Sequence, residues 1–280
     1  VMAINSIITN SNAMTALRHL NETNRQMETT QGRISTGLKI NNAVDDASNY
    51  TIAQGLRSDI KAMSVISQGL NNTKGVAQVA MAGATSVSNL LGDVRAKLTE
   101  MSNEGINQAQ RDILHADLQA LMVQIDDFIT NSNFNGQNLL DTGAVNISTQ
   151  ANIDGANPIV LGAQDIQTDA GTLQTDITAI VTTNATMSLA VLNGTAFTDL
   201  EDTVNTALSG LGADIRALNL QTEFLSEISD ATEEGLGNIV DADMARESAK
   251  LSSLQIRQEL SMQIAGIANK APQSLLSLFQ

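Results

Sequence analysis

Two histidines, His19 and His115, and no cysteine are all that this 280-residue chain offers as soft metal ligands or thiol nucleophiles. Neither histidine has a second His nearby in sequence, so each reads as a surface or interface side chain rather than a ligand. His-Glu-x-x-His, which would set two imidazoles and a general base on one helix face, does not occur. Asp126-Asp127 and Glu233-Glu234 are adjacent carboxylates. Neighbours on a helix diverge by about 100°, so these pairs do not converge on one proton or one cation. Asp154-Gly155 and Asn157-Pro158 have the composition of turns rather than of calcium loops, and no Gly-rich phosphate loop is present. Enzyme chemistry is therefore the weakest functional reading, and the metal and cofactor expectation is none.

What the chain does repeat is a helical seam. Leu17, Leu20, Asn24, Met27, Gln31, Ile34 and Leu38 step by three and four residues, the period of a helix packed along another helix. Two of the seven are polar, so this helix needs a partner from its own chain and from other chains. Asp45-Asp46-Ala47 reads as a fresh helix start, with acid where the helix dipole favours it. The 3–4 step then runs from Ala53 to Leu98 through Met63, Leu70, Ala77, Ala84 and Leu91, about 70 Å of rod. Ser102 to Gly105 breaks it. Leu114, Leu118, Leu121, Ile125 and Phe128 share one face of the next helix. Asn135-Gly136 is a hairpin signal. Val145, Ile147 and Thr149 alternate, as do Met187, Leu189 and Val191, which predicts short strands. Helix returns at Val204, Leu208, Leu211, Ile215, Leu218 and Leu225, with Gly235 and Gly237 weakening it. A last helix opens at Asp241-Ala242-Asp243 and carries Leu251, Leu254, Ile256, Leu260, Ile264 and Ile267. Pro272 is expected to end it, and an apolar tail, Leu275, Leu276, Leu278 and Phe279, follows. Apolar residues left exposed at a chain end favour burial in an assembly.

The expected fold is mainly α: long antiparallel helices in a coiled-coil bundle formed by both chain ends, with a small β-rich insert in the middle. The expected division is residues 1–44 plus 240–280 as a terminal helical domain, 45–140 plus 199–239 as a long-helix rod, and 141–198 as a short surface-exposed insert.

Charge is unevenly placed. The chain carries −15 overall. Residues 1–44 are slightly basic, residues 240–280 balance, and the acid lies between. From Arg111 to Arg216 there is no other Lys or Arg against thirteen Asp or Glu. That surface repels nucleic acid and anionic lipid. No run of eighteen apolar residues predicts a membrane span, and the start lacks the pattern of a secretory signal.

The motifs resemble those of the bacterial flagellins. Gln31 to Asn41, with Arg33, Gly37 and Leu38, followed by Val44-Asp45-Asp46-Ala47, is similar to the N-terminal signature of that family, as are Ala3-Ile4-Asn5 and Thr9-Asn10. Asn133-Phe134-Asn135-Gly136 with Leu139-Leu140 resembles the turn after its second long helix. Ile239-Val240-Asp241-Ala242-Asp243 and Ala271-Pro272-Gln273-Ser274-Leu275-Leu276 resemble its C-terminal signature. The resemblance covers about residues 2–140 and 200–280; the insert between resembles no family.

The resemblance implies a structural subunit that polymerises into the extracellular flagellar filament for swimming, with its terminal helices lining the channel and its insert facing solvent. The implied partners are further copies of the chain, the flagellar cap, junction proteins, an export chaperone and the type III export apparatus, with no nucleic acid and no membrane insertion. Assembly-interface residues would be Leu17, Leu20, Met27, Ile34, Leu38, Leu251, Leu254, Ile256, Leu260, Ile264, Ile267, Leu275 and Leu278. Many flagellins are sensed by an innate immune receptor through Arg, a Leu four residues on, and a Glu on the next helix. Here Asp93, Lys97 and Asp117 stand in those places, so weak or absent recognition is expected. A hook–filament junction protein is the alternative reading, and an insert acting as adhesin or enzyme a third. Asp45 and Asp46 read as helix-start acids or as partners of a base such as Arg33. Ser and Thr of the insert are possible O-glycan acceptors.

Overall fold

The computed structural model describes residues 10–276, and side chains as far as 270. The opening motif Ala3-Ile4-Asn5 with Thr9, and the tail residues Leu278 and Phe279, lie outside the described residues, as does the side chain of Leu275. Helix α1 spans Ser11–Thr36. Asn10 caps it, its Oδ1 accepting from Ala13 N at 3.1 Å. Gly37 ends it in the left-handed conformation, φ 72°, its N–H donating to Arg33 O.

Helix α2, Ala47–Met101, is the longest element. Asp46 starts it, with Oδ1 accepting from Ser48 N and Asn49 N at 3.1 Å each. Helix α3, Gln108–Asn131, opens on a reciprocal capping box between Asn107 and Gln110. The hairpin β1, Asn133–Phe134, and β2, Gln137–Asn138, turns through Asn135 and Gly136, both at positive φ. That double left-handed turn matches strand twist, which is why Asn-Gly signals it. A second antiparallel pair, β3 (Ile147–Thr149) and β4 (Ile159–Leu161), precedes helices α4 (Gln167–Thr178) and α5 (Ala185–Leu192). Helix α6 runs Thr195–Val240 and α7 Met244–Leu276.

Four sequence expectations change. Helix α7 does not stop at Pro272 but continues to Leu276. Met187, Leu189 and Val191 are not a strand but lie in α5, capped by Asn184 Oδ1 on Thr186 N. In so short and apolar a run, alternation does not separate strand from helix. The stretch 141–198 is accordingly richer in helix than in strand. Helix α6 begins at Thr195 and continues unbroken through Gly235 and Gly237 to Val240. Lastly, on α1 the buried positions of that half of the seam are Ala16, Thr23 and Thr30, one residue before Leu17, Asn24 and Gln31; Leu17 and Gln31 are exposed, while Asn24 is half-buried.

The chain divides into two compact units. One joins the two ends of the chain, up to Ser58 and from Ala231; the other is Asp59–Asp230. The second unit holds the main core. Met63, Leu70, Ala77, Ala84, Leu91 and Leu98 of α2 are buried as their spacing predicts, and so is a second stripe, Val76, Ala80, Val87, Val94 and Met101. The two stripes share one cluster with Leu118, Met122, Ile125 and Ile129 of α3 and with Leu200, Val204, Leu211 and Leu218 of α6. Helix α4 adds Ala170, Leu173 and Ile177 to that cluster. Its position is held by His115 Nε2 against Ile177 O at 2.8 Å, Gln167 Nε2 donating to Asp126 Oδ1, and Thr203 Oγ1 donating to Asp169 Oδ2. Part of the insert therefore belongs to the core. Ser132 Oγ and Leu140 press against α2 at Gly83, where a β-carbon would stand 1.9 Å from the hydroxyl oxygen.

Candidate functional site

The two chain ends form an antiparallel helix pair, α1 on α7. On α7 the inward residues are Glu247, Leu251, Leu254, Gln258, Ser261, Ala265 and Ala268, stepping by four and three. On α1 they are Ala13, Ala16, Leu20, Thr23, Met27, Thr30 and Ile34. Nine of these fourteen residues are small or polar. Thr23 can be buried because its Oγ1 donates to His19 O at 2.9 Å. Polar pairs mark the register: Asn10 Nδ2 donates to Ala268 O, Gln258 Nε2 to Asn24 Oδ1, and Arg33 Nη1 to Glu247 Oε1. A seam of this kind fixes alignment at a cost in stability. Thr30 Oγ1, Arg33 Nε and Glu247 Oε2 are buried without a hydrogen-bond partner among the described residues, which adds to that cost.

At the base of the pair the chain segments lock by backbone bonds. Lys39 N donates to Val240 O, Ala242 N to Gly37 O, and Leu38 bridges Asp241. A small apolar knot of Ile40, Ala53 and Val240, with Leu38, Tyr50, Leu236 and Ile239 around it, closes this end.

The signature acids divide their roles. Asp46 caps α2, and hydrogen bonds from Asn49 N and Nδ2 hold its carboxyl below the usual aspartate value. Asp45 Oδ2 accepts from Asn41 N and Asn42 N. Asp243 Oδ1 accepts from Arg246 N at the start of α7. Of the two open readings, the helix-start role describes Asp46, while the base Arg33 goes to Glu247, a partner the sequence reading missed. Its signal was present: Glu247 lies in phase with Leu251 and Leu254, an acid on a buried stripe. Asn135 and Gly136 make the hairpin turn, and Lys97 Nζ and Asp117 Oδ2 form an ion pair at 2.8 Å. Asp93 is exposed.

The apolar residues named for assembly fall into two sets. Leu20, Met27, Ile34, Leu38, Leu251 and Leu254 are wholly or partly buried within the chain. Leu17, Ile256, Leu260, Ile264 and Ile267 are at least half exposed, Ile267 at 70%. The four on α7 share its outward side, opposite the seam, and are larger than most residues on the inward side. Charge follows the same division. The unit of the chain ends holds nine basic and ten acidic residues, and the other unit six and twenty. Copies can therefore approach through the first unit without a large electrostatic penalty. Among the described residues no group of three potential metal ligands occurs, and no helix is long and apolar enough to cross a membrane.

Comparison with known proteins agrees with this anatomy. Residues 7–144 match the bacterial flagellin N-terminal helical region and residues 195–279 the C-terminal helical region. Flagellin FljK of Caulobacter vibrioides is 36% identical, with 100% of each chain covered. The flagellin of Brucella melitensis is 37% identical over 98% of this chain and 99% of its own. A putative flagellar hook-associated protein from Vibrio parahaemolyticus shares the fold, with TM-score 0.59 and 15% identity over 70% of this chain and 100% of its own. The chain belongs to the bacterial flagellin family, whose members are structural subunits of the extracellular flagellar filament.

Proposed function

We propose that the paired terminal helices are the part of the subunit through which copies bind in the filament. Leu20, Met27, Ile34, Leu38, Leu251 and Leu254 hold α1 to α7, and Leu17, Ile256, Leu260, Ile264 and Ile267 are buried against neighbouring copies, joined by Leu275 and Leu278. The observation that carries this reading is the division of α7: apart from Leu251 and Leu254 its inward side is small or polar, while Ile256, Leu260, Ile264 and Ile267 face outward. On this reading residues 1–44 with 240–280 line the channel, 45–140 with 199–239 form the surrounding rod, and the part of 141–198 that is not packed into the rod core faces solvent. The marginal seam also suits a subunit that passes unfolded through the type III export apparatus, with a chaperone on its C-terminal segment, and folds beneath the cap beside the junction proteins. The function is mechanical, and no catalytic role is assigned.

The test is assembly itself. A chain carrying Ile256→Ser, Leu260→Ser and Ile264→Ser should keep its rod helices yet form no filaments by negative-stain microscopy after seeding. Removal of residues 261–280 should do the same. Intact filaments from either variant would overturn the assignment. A junction role is disfavoured because full-length relatives are flagellins. Labelling along the whole filament rather than at its base separates the two.

A further inference from the structure

Val44 is the most exposed large apolar residue of the described chain, 95% accessible. It is not on a slack loop. Asn42 Oδ1 accepts from Val44 N at 2.8 Å and from Asp45 N at 3.1 Å, while Asp45 Oδ2 accepts in return from Asn41 N and Asn42 N. Asp46 then caps α2. The polar side chains of Asn42, Asp45 and Asp46 thus fold residues 41–46 on themselves and hold an aliphatic side chain out into solvent. A rigid apolar knob of this kind is already arranged for docking, with little ordering cost left to meet. An exposed carboxylate, Asp45, stands beside it; the next acid, Asp46, is half-buried and committed to capping α2.

The same unit carries a surface of opposite character. Beside the outward aliphatic stripe of α7 stand Arg246, Lys250 and Arg257, all exposed and spaced by four and seven residues along one flank. Arg246 is paired with Asp243 at 3.8 Å at the start of the row, no acid stands between Lys250 and Arg257 on it, and Glu259 lies on the opposite flank. Apolar centre and charged edge are matched in kind and reversed in sign between the two surfaces.

Resting on the filament reading above, we propose that the Val44 knob of one copy seats on the α7 stripe of the next, near Ile256 and Leu260, with Asp45 facing Lys250 and Arg257. The two surfaces differ, so the contact is head-to-tail and propagates into an open helical array rather than closing as a dimer.

The chain has no cysteine, so engineered pairs report without background. A Val44→Cys/Ile256→Cys variant, assembled and oxidised, should run as a ladder of covalent multimers, whereas the dilute monomer should not. A Val44→Cys/Phe224→Cys control should give no ladder. Val44→Ala should leave monomer melting unchanged, since the side chain touches little within its own copy, and raise the critical concentration for polymerisation about tenfold. Filaments that form without the ladder, or a critical concentration unmoved by Val44→Ala, would overturn this contact and leave the filament reading standing. Failure of the unaltered chain to polymerise from seeds would instead remove the filament reading, and this contact with it.

Discussion

Arg33 on the first helix and Glu247 on the last meet at 3.2 Å, with side chains 28% and 11% exposed. Two residues more than two hundred positions apart form the most buried ion pair among the described residues, within a seam otherwise short of large apolar groups. Removing one partner strands the other. Glu247→Ala should therefore destabilise the terminal pair by about 1–3 kcal/mol, the lower part of the range for breaking a buried pair because Arg33 keeps some solvent. Arg33→Met with Glu247→Leu should recover most of that loss. Hydrogen exchange across 11–36 in assembled filaments checks both.

The hairpin seat on α2 gives a sharper contrast. Gly83→Ala would place a β-carbon 1.9 Å from Ser132 Oγ and 3.0 Å from Leu140 Cδ1, so overpacking should cost about 1–3 kcal/mol. Gly92, on the same helix, has nothing within 4 Å of that position. Gly92→Ala should stabilise by about 0.5–1 kcal/mol through helix propensity. Thermal unfolding of the two variants should move in opposite directions.

These contrasts show what the sequence could and could not reveal. Long helices at both ends followed from the 3–4 step alone, and Leu20, Met27 and Ile34 lie on the seam that step predicts. Ala16 and Thr23 are buried where apolar size favours Leu17 and phase favours Asn24: an alanine carries no strong signal, and spacing cannot report that the Thr23 hydroxyl satisfies itself on the preceding turn. Val76, Val87 and Val94 lie off the one 3–4 seam that spacing picks out, because α2 is buried on two adjoining stripes. Eight residues are too few to fix a period, so the alternation of Met187, Leu189 and Val191 predicts strand where α5 forms. The pairing of Arg33 with Glu247 needed the antiparallel register, which no local pattern contains.

Acid titration separates two aspartates. Hydrogen bonds from Asn49 depress the Asp46 carboxyl, so its stabilisation is present above the unfolded-state value of 3.8 and is lost as pH falls through the lower folded value. Asp214 is shifted the other way: burial raises it, opposed by the Gly162 N–H. Its charge costs stability at neutral pH, and that cost fades as pH falls through the raised folded value. Asp214→Asn should thus raise the melting temperature at pH 7, with the gain shrinking toward acid. Melting curves across pH 3–7 test the sign.

Asp93 and Lys97 differ in character from the Arg and Leu that the innate receptor pattern has there, while Asp117 keeps an acid and is engaged with Lys97 at 2.8 Å. A cell reporter assay should give weak or no activation by this flagellin. Potency equal to that of an activating flagellin would refute the prediction.

The account turns on a subunit whose ends gain their order from neighbouring copies, and hydrogen exchange on the same protein before and after polymerisation tests that most directly. In the dilute monomer, amides of 11–36 and 244–270 should exchange quickly while those of 59–101 are protected; in the filament all three should be slow. Equal, strong protection of the terminal helices in monomer and filament would contradict the account.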